Sequence, residues 1–217
     1  MAQIKANGVA LEYDVTGPAD GVPLLLIMGF GAQMTSWTPR FTAALAEAGY
    51  RVIRFDNRDV GLSQRFTGTP AAKDVAAAVA AGRTPDVPYV LTDMAADAAG
   101  LLDALGIESA HIAGASMGGM IAQLVALDHP KKARSLISIF STTGDYALPK
   151  SSPEAQAALL TQPASSARAD VVAHAVKNRR VYASTRWPYD EANVAALAGA
   201  GYDRAYYPEG SVRQYTA

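Results

Sequence analysis

The residues best suited to chemistry lie in one short stretch, residues 109–120, which read Ser-Ala-His-Ile-Ala-Gly-Ala-Ser-Met-Gly-Gly-Met. Gly114 and Gly118 flank Ser116 at two residues on either side, the Gly-x-Ser-x-Gly spacing of a nucleophile elbow. A strand that turns sharply into a helix brings other backbone against the serine, so only small residues fit beside it. The helix that follows would direct its first N–H groups toward the hydroxyl. The pattern predicts a serine nucleophile; the alternative is a serine in an ordinary small-residue turn.

The segments around this stretch alternate between strand and helix patterns. Residues 9–15 alternate apolar and polar side chains after an Asn-Gly turn, which predicts an antiparallel pair at a sheet edge. Further strands are predicted from apolar runs at residues 23–28, 51–55 and 135–140, besides the strand that leads into the elbow. Helices are predicted after Thr38, Thr92 and Ser116. The order predicts an α/β fold, a mostly parallel sheet with helices on both faces.

The second part of the chain has a different character. Helical patterns without an apolar strand occur at residues 151–160, 166–181 and 190–200, and aromatic residues gather among them. We therefore predict two domains, an α/β core over residues 1–146 and an incomplete helical cap over residues 147–217.

Composition excludes several classes of function. The chain has 217 residues, a formal net charge of −1 and no cysteine. Without a run of basic residues, neither nucleic acid nor an acidic membrane surface is an expected partner. Without cysteine there is no thiol nucleophile, disulfide framework or thiolate metal site. The first residues lack the order of a signal peptide, so a cytoplasmic protein is expected, and no metal or other cofactor is implied.

Four motifs together carry a family resemblance. They are Leu-Leu-Ile-Met-Gly-Phe-Gly at residues 25–31, Arg-Phe-Asp-Asn-Arg-Asp-Val-Gly-Leu-Ser at 54–63, Gly-Ala-Ser-Met-Gly-Gly at 114–119 and Leu-Asp-His-Pro at 127–130. In this order they resemble the α/β-hydrolase superfamily, and within it the cap-bearing esterase branch that includes aclacinomycin methylesterase. The resemblance implies an α/β-hydrolase fold and a serine carboxylic ester hydrolase that needs no cofactor and acts on a small to medium apolar ester.

The resemblance also assigns roles to individual residues. Ser116 would form the acyl-enzyme, and the backbone N–H groups of Phe30 and Met117 would form the oxyanion hole. Many relatives have His-Gly where this chain has Met-Gly at residues 28–29, a change that leaves backbone donors in place. Gly29, Trp187 and Tyr189 are candidates for the substrate pocket.

The acidic and basic residues at 56–59 invite a catalytic interpretation, but the resemblance implies a structural one. In relatives this loop ties strands together through buried ion pairs and hydrogen bonds, which is the role expected here of Asp56, Arg58 and Asp59. Many relatives have glycine at the position of Asp59, so this side chain must find room or a partner.

A catalytic base is not evident. In relatives the acid and the histidine follow later strands, in the order Ser, Asp, His. His111 precedes Ser116 on one strand and His129 ends the next helix, so a structural role is expected for both. His174 lies in the helical cap, where a packed or solvated helix position is expected and contact with Ser116 is the alternative; Asp145 is expected to be a loop residue. We therefore predict that the C-terminal strands are missing and that this chain alone is inactive. A second polypeptide could carry those strands, or the chain could associate with itself at an open sheet edge.

Two other functions remain open. A cofactor-free perhydrolase would share Ser116, and a non-catalytic α/β hydrolase would bind a small apolar ligand without hydrolysing it. A dinucleotide site is disfavoured because the glycines at residues 114–119 do not follow Gly-x-Gly-x-x-Gly.

Overall fold

The computed structural model describes residues 1–68, 70–145 and 147–217. Its six-stranded sheet has the order β1-β2-β4-β3-β5-β6. The strands are β1 (Ala2–Ala6), β2 (Val9–Thr16), β3 (Val22–Ile27), β4 (Tyr50–Phe55), β5 (Ala110–Ala115) and β6 (Ala133–Ile139). β2 pairs antiparallel with β1 and β4, and the remaining pairs are parallel. The predicted α/β class and the antiparallel pair at one edge are confirmed.

Eight α-helices accompany the strands in the described ranges. They are α1 (Pro39–Glu47), α2 (Ala72–Ala80), α3 (Leu91–Ala104), α4 (Met117–Asp128), α5 (Pro153–Leu160), α6 (Arg168–Val181), α7 (Glu191–Arg204) and α8 (Pro208–Thr216). The predicted helices are all present. The sequence interpretation missed α8, although proline at a first helical position followed by an acidic residue is a helix-start signal.

The apolar run of β3 is buried on both faces, as predicted. Leu25 and Ile27 pack in the cluster that contains the buried residues of α3 and α4. Leu24 and Leu26 point to the opposite face and pack in a second cluster with Trp37. Because successive strand residues face opposite sides of a sheet, an unbroken apolar run suits a strand covered on both. This central position places the C-terminal end of β3 next to that of β5.

The sheet ends at β6, which pairs with β5 alone in the part of the chain that the structure describes. Leu136 and Ile137 of this edge strand are 41% and 45% exposed. An open apolar edge is the feature that the sequence predicted, and pairing along it stays a prediction.

The chain divides into two compact units. The first comprises Met1–Thr143 and Tyr207–Ala217, and the second Gly144–Tyr206. The predicted boundary at residue 146 lies close to the first division, but the residues from Tyr207 onward, predicted as part of the cap, pack within the first unit. Within the second unit, α5 packs on α6 and α6 on α7.

In residues 1–68, 70–145 and 147–217, no helix combines the length and the apolar character needed to cross a membrane. Nor do three or more metal-ligating side chains cluster among these described residues.

The N-terminus of α1 offers a test of local stability. Thr38 has extended backbone and its side chain accepts a hydrogen bond from the Phe41 N–H, while Pro39 occupies the first helical position. Thr38→Ala leaves that N–H without its partner, so we expect the free energy of unfolding to fall by about 1 kcal/mol. Urea unfolding measures this change. Thr38→Ser keeps the hydroxyl, so its free energy of unfolding should be close to that of the wild type. An equal loss of stability in both variants would contradict the capping role.

Candidate active site

Ser116 stands at the sharp turn between β5 and α4, and its side chain is exposed. Its φ of 54° and ψ of −124° are rare for a residue with a side chain and imply backbone strain. Its backbone is held on both sides: the Ser116 N–H donates to the Ile139 carbonyl at 3.0 Å, and its carbonyl accepts from the Gly119 N–H at 2.8 Å. The Ser141 hydroxyl donates to the same carbonyl at 2.6 Å. An exposed serine at a strained turn from strand to helix has the geometry of a nucleophile elbow. The nucleophilic role of Ser116 stays a prediction.

The elbow glycines are needed for close backbone packing. A Cβ atom on Gly114 would lie 1.9 Å from the Gly118 carbonyl oxygen, and one on Gly118 would lie 2.2 Å from the Ile27 carbonyl oxygen. Gly29 also packs closely, since a Cβ there would lie 2.8 Å from the carbonyl oxygen of Ala115 and 3.0 Å from the Ser116 Cβ. The elbow and the loop after β3 are therefore in direct contact through small residues.

The loop after β3, residues 28–31, is held at both ends by side-chain amides. The Met28 carbonyl accepts a hydrogen bond from Asn57 Nδ2 at 2.9 Å. The Gly31 N–H donates to Gln214 Oε1 at 2.8 Å. Phe30 lies between these two anchors, directly after the glycine that contacts Ser116. Met117, buried, begins α4 immediately after the serine. The oxyanion role of the Phe30 and Met117 N–H groups stays a prediction.

The loop at residues 56–59 is structural, as predicted. Asp56 is fully buried, and its carboxylate accepts from the Met34 N–H at 2.8 Å and the Leu62 N–H at 3.0 Å. Arg58 forms a buried ion pair with Asp97 at 2.7 Å. Burial raises the pKa of the Asp97 carboxyl, and the hydrogen bonds from Arg58 oppose that rise. These contacts tie the loop to α3 and to the segment after β3.

The partner of Asp59 comes from α8. Arg213 Nε donates to Asp59 Oδ2 at 2.8 Å and Nη2 to Oδ1 at 3.0 Å. Both side chains are almost fully buried, and the hydrogen bonds to Asp59 raise the pKa of the Arg213 guanidinium above its usual value. Asp59 has a φ of 65°, a conformation that suits the glycine of many relatives. The sequence predicted that Asp59 needs a partner but did not identify Arg213.

The three histidines are in structural positions. His111 lies on β5, where its Nδ1 is 2.7 Å from the Ser135 hydroxyl, and five residues of strand put it roughly 16 Å from Ser116. His129 is the C-terminal cap residue of α4. His174 Nε2 is 2.9 Å from the Thr161 carbonyl oxygen. Within the described part of the first unit, no hydrogen bond joins His111 or His129 to Ser116.

The remaining candidates lie in the second unit. Trp187 is 76% exposed. The Tyr189 hydroxyl donates to the Val176 carbonyl at 2.7 Å, and Arg180 stacks on its ring. Asp145 accepts a hydrogen bond from the Ala147 N–H within a loop, as expected. A pocket role for Trp187 and Tyr189 stays a prediction.

Comparison with known proteins supplies independent information. The family model described as alpha/beta hydrolase fold matches residues 22–187. Rhodomycin D methylesterase DauP of Streptomyces sp. (strain C5) is 37% identical over 133 residues, which are 61% of this chain and 39% of that protein. The provisionally named carbamate hydrolase RutD of Variovorax paradoxus (strain S110) is 37% identical over 129 residues, 59% of this chain and 41% of that protein.

A solved structure shows the same fold over nearly the whole chain. The meta-cleavage product hydrolase CumD of Pseudomonas fluorescens IP01 aligns with a TM-score of 0.70 and 21% identity, covering 98% of this chain and 67% of that one. The curated relatives above are matched over about two-fifths of their own length.

Proposed function

Because this chain belongs to the α/β hydrolase fold family, we propose that Ser116 is the nucleophile of a serine carboxylic ester hydrolase. The observation that carries the proposal is the elbow: an exposed serine with a φ of 54°, held between β5 and α4. Strain of this kind persists only where the surrounding structure enforces it, and it is concentrated at functional sites. The contact between Gly29 and Ser116 adds the second element that acyl transfer needs, a loop that can present a backbone N–H beside the nucleophile.

The reaction would proceed by acyl transfer in two steps. The Ser116 Oγ attacks the ester carbonyl carbon while its proton passes to a base, and the N–H groups of Phe30 and Met117 stabilise the oxyanion that forms. Collapse of this intermediate breaks the bond to the alcohol, which leaves with a proton. Water then attacks the acyl-enzyme and releases the carboxylic acid. The same attack serves the carbonyl of a carbamate.

The base is proposed to come from outside these 217 residues. His111, His129 and His174 hold structural positions in the described part of the chain. A longer form of the protein or a second polypeptide would supply the histidine and its acid. We expect the 217-residue chain alone to turn over esters slowly at best, since loss of one triad member can cost about a millionfold in turnover.

The proposed substrate is a methyl ester of a small to medium apolar acid. The 37% identity to a protein named rhodomycin D methylesterase supports this choice, and the fold alone does not select a substrate. The absence of cysteine is compatible with a reducing compartment, so we also propose that the enzyme is cytoplasmic.

Labelling with a fluorophosphonate tests the nucleophile in the chain as it is. Intact mass should show one adduct, and peptide mapping should place it on Ser116. A preformed oxyanion hole retains part of its effect without a base, so Ser116 should react faster than the exposed Ser151, and imidazole added to the buffer should accelerate it.

Ser116→Ala is the matched control for this labelling. The adduct at residue 116 should be absent from that variant, and only slow labelling of other exposed serines should remain. An adduct of equal yield in the variant, or a Ser116 that reacts no faster than Ser151 when imidazole supplies a base, would contradict the proposal.

A further inference from the structure

Two buried side-chain amides grip the loop at residues 28–31. Asn57 is 2% exposed and Gln214 is 3% exposed. Asn57 Nδ2 donates to the carbonyl before Gly29, and Gln214 Oε1 accepts from the N–H after Phe30. The peptide that carries the Phe30 N–H is thus restrained on both sides. Buried polar groups that lose a partner are costly, so each hydrogen bond opposes rotation of this loop.

Both amides connect the loop at residues 28–31 to the same supporting structure, the loop after β4. Gln214 Nε2 donates to the Arg58 carbonyl at 2.9 Å, so one side chain bridges the loop after β3 and the loop after β4. Asn57 belongs to the second loop itself. The neighbouring side chains Asp56, Arg58 and Asp59 fasten that loop through the buried contacts described above. The support is therefore rigid, which makes it suitable for fixing the direction of a backbone donor.

The helix that presents Gln214 is itself held tightly. Arg213 binds Asp59, and Gly210 lies so close to the Asp59 carbonyl that a Cβ would be 2.0 Å from its oxygen. The Tyr215 ring meets the edge of the Phe30 ring, with centroids 6.2 Å apart. Arg213, Gln214 and Tyr215, three successive residues of α8, thus contact either the loop at residues 28–31 or its support.

We propose that Gln214, together with Asn57, is a positioning residue that sets the direction of the Phe30 N–H toward the developing oxyanion. The inference rests on the proposed function for the role of that N–H. Neither side chain touches the reacting atoms; they act through the peptide between them. Loss of one oxyanion donor costs on the order of a hundredfold in rate, so a misdirected donor should cost about tenfold or more.

The test compares Gln214→Met with Thr216→Val in the 217-residue chain. Gln214→Met keeps the volume and removes both hydrogen bonds. Thr216→Val removes a buried hydroxyl from the same helix. Among the described residues, that hydroxyl donates to the carbonyls of Val212 and Arg213, both in α8. Two quantities are measured: the rate of Ser116 labelling by the fluorophosphonate, and hydrogen exchange at the Gly31 amide by NMR. We expect Gln214→Met to slow labelling about tenfold and to speed Gly31 exchange about tenfold, with Thr216→Val close to wild type in both.

A conservative variant guards against a general loss of folding. The carboxyl group introduced in Gln214→Glu keeps an acceptor for the Gly31 N–H and, when burial holds it protonated, a donor for the Arg58 carbonyl. This variant should restore much of the labelling rate and the Gly31 protection.

The outcomes separate the two proposals. If the wild-type chain labels at Ser116 and the two variants, Gln214→Met and Thr216→Val, label equally fast, the positioning role of Gln214 is wrong. The proposal that Ser116 is the nucleophile is then unaffected. Wild-type chain that does not label at Ser116 even with imidazole in the buffer contradicts the proposed function. In either case, hydrogen exchange at the Gly31 amide tests whether Gln214 restrains the loop. Equal exchange rates in Gln214→Met and Thr216→Val would show that it does not.

Discussion

Gly114→Ala is expected to lower the free energy of unfolding by at least about 3 kcal/mol, the upper part of the range for overpacking a core. The added Cβ would lie 1.9 Å from the Gly118 carbonyl oxygen and 2.6 Å from the Gly119 nitrogen. Both are backbone atoms of the first turn of α4, so no side-chain rotation can relieve the overlap. The turn itself would have to move away from β5. Urea unfolding followed by circular dichroism measures the loss.

Gly106→Ala is the matched control for this clash. Gly106 has a φ of 67° and no atom within 4 Å of an added Cβ. Alanine there meets the strain of left-handed backbone without overlap, so about 1 kcal/mol is expected. Position 114 requires glycine because a side chain would overlap backbone atoms, whereas position 106 favours glycine because of its left-handed backbone. Equal losses at the two positions would show that the close approach at the elbow does not limit stability.

Arg213→Met is expected to destabilise the protein by about 3–5 kcal/mol, the usual cost of leaving one partner of a buried ion pair alone. Arg213 and Asp59 have side chains only 3% and 0% exposed. The substitution keeps a long apolar stem but leaves the Asp59 carboxylate without its main partner. It also removes the donor to the Gly68 carbonyl. Thermal and urea unfolding measure the change.

Two further variants test whether the burial of an unpaired charge causes the loss of stability in Arg213→Met. Arg168 forms a two-point ion pair with Asp203 at 2.7 and 2.8 Å, but the side chains are 53% and 56% exposed. Arg168→Met should therefore leave stability nearly unchanged, because solvent screens an exposed pair. Asp59→Asn added to Arg213→Met removes the uncompensated charge and should recover part of the loss. A loss as large for Arg168→Met, or no recovery in the double variant, would argue against burial of charge as the cause.

The elements and the nucleophile candidate could be predicted because their signals are local. The glycine spacing around Ser116 indicates a tight turn, because the close contacts that require glycine involve residues only a few positions away. The apolar run of β3 indicates burial on both faces, and the alternation in β2 after the Asn-Gly turn indicates an antiparallel pair at the sheet edge. The structural role of the loop at residues 56–59 followed from the family resemblance, and the structure confirms it.

The partners of that loop could not be predicted, because they are distant in sequence. Arg213 and Gln214 lie 154 and 156 residues after the residues they bind, Asp59 and Arg58. No local pattern records such a separation, and the sequence interpretation did not identify α8 as a helix. By itself, the sequence determined where the strands and the elbow lie. Only the tertiary structure decided that α8 packs with the first unit, since a buried carboxylate at Asp59 requires a buried cation, and the folded chain supplies Arg213.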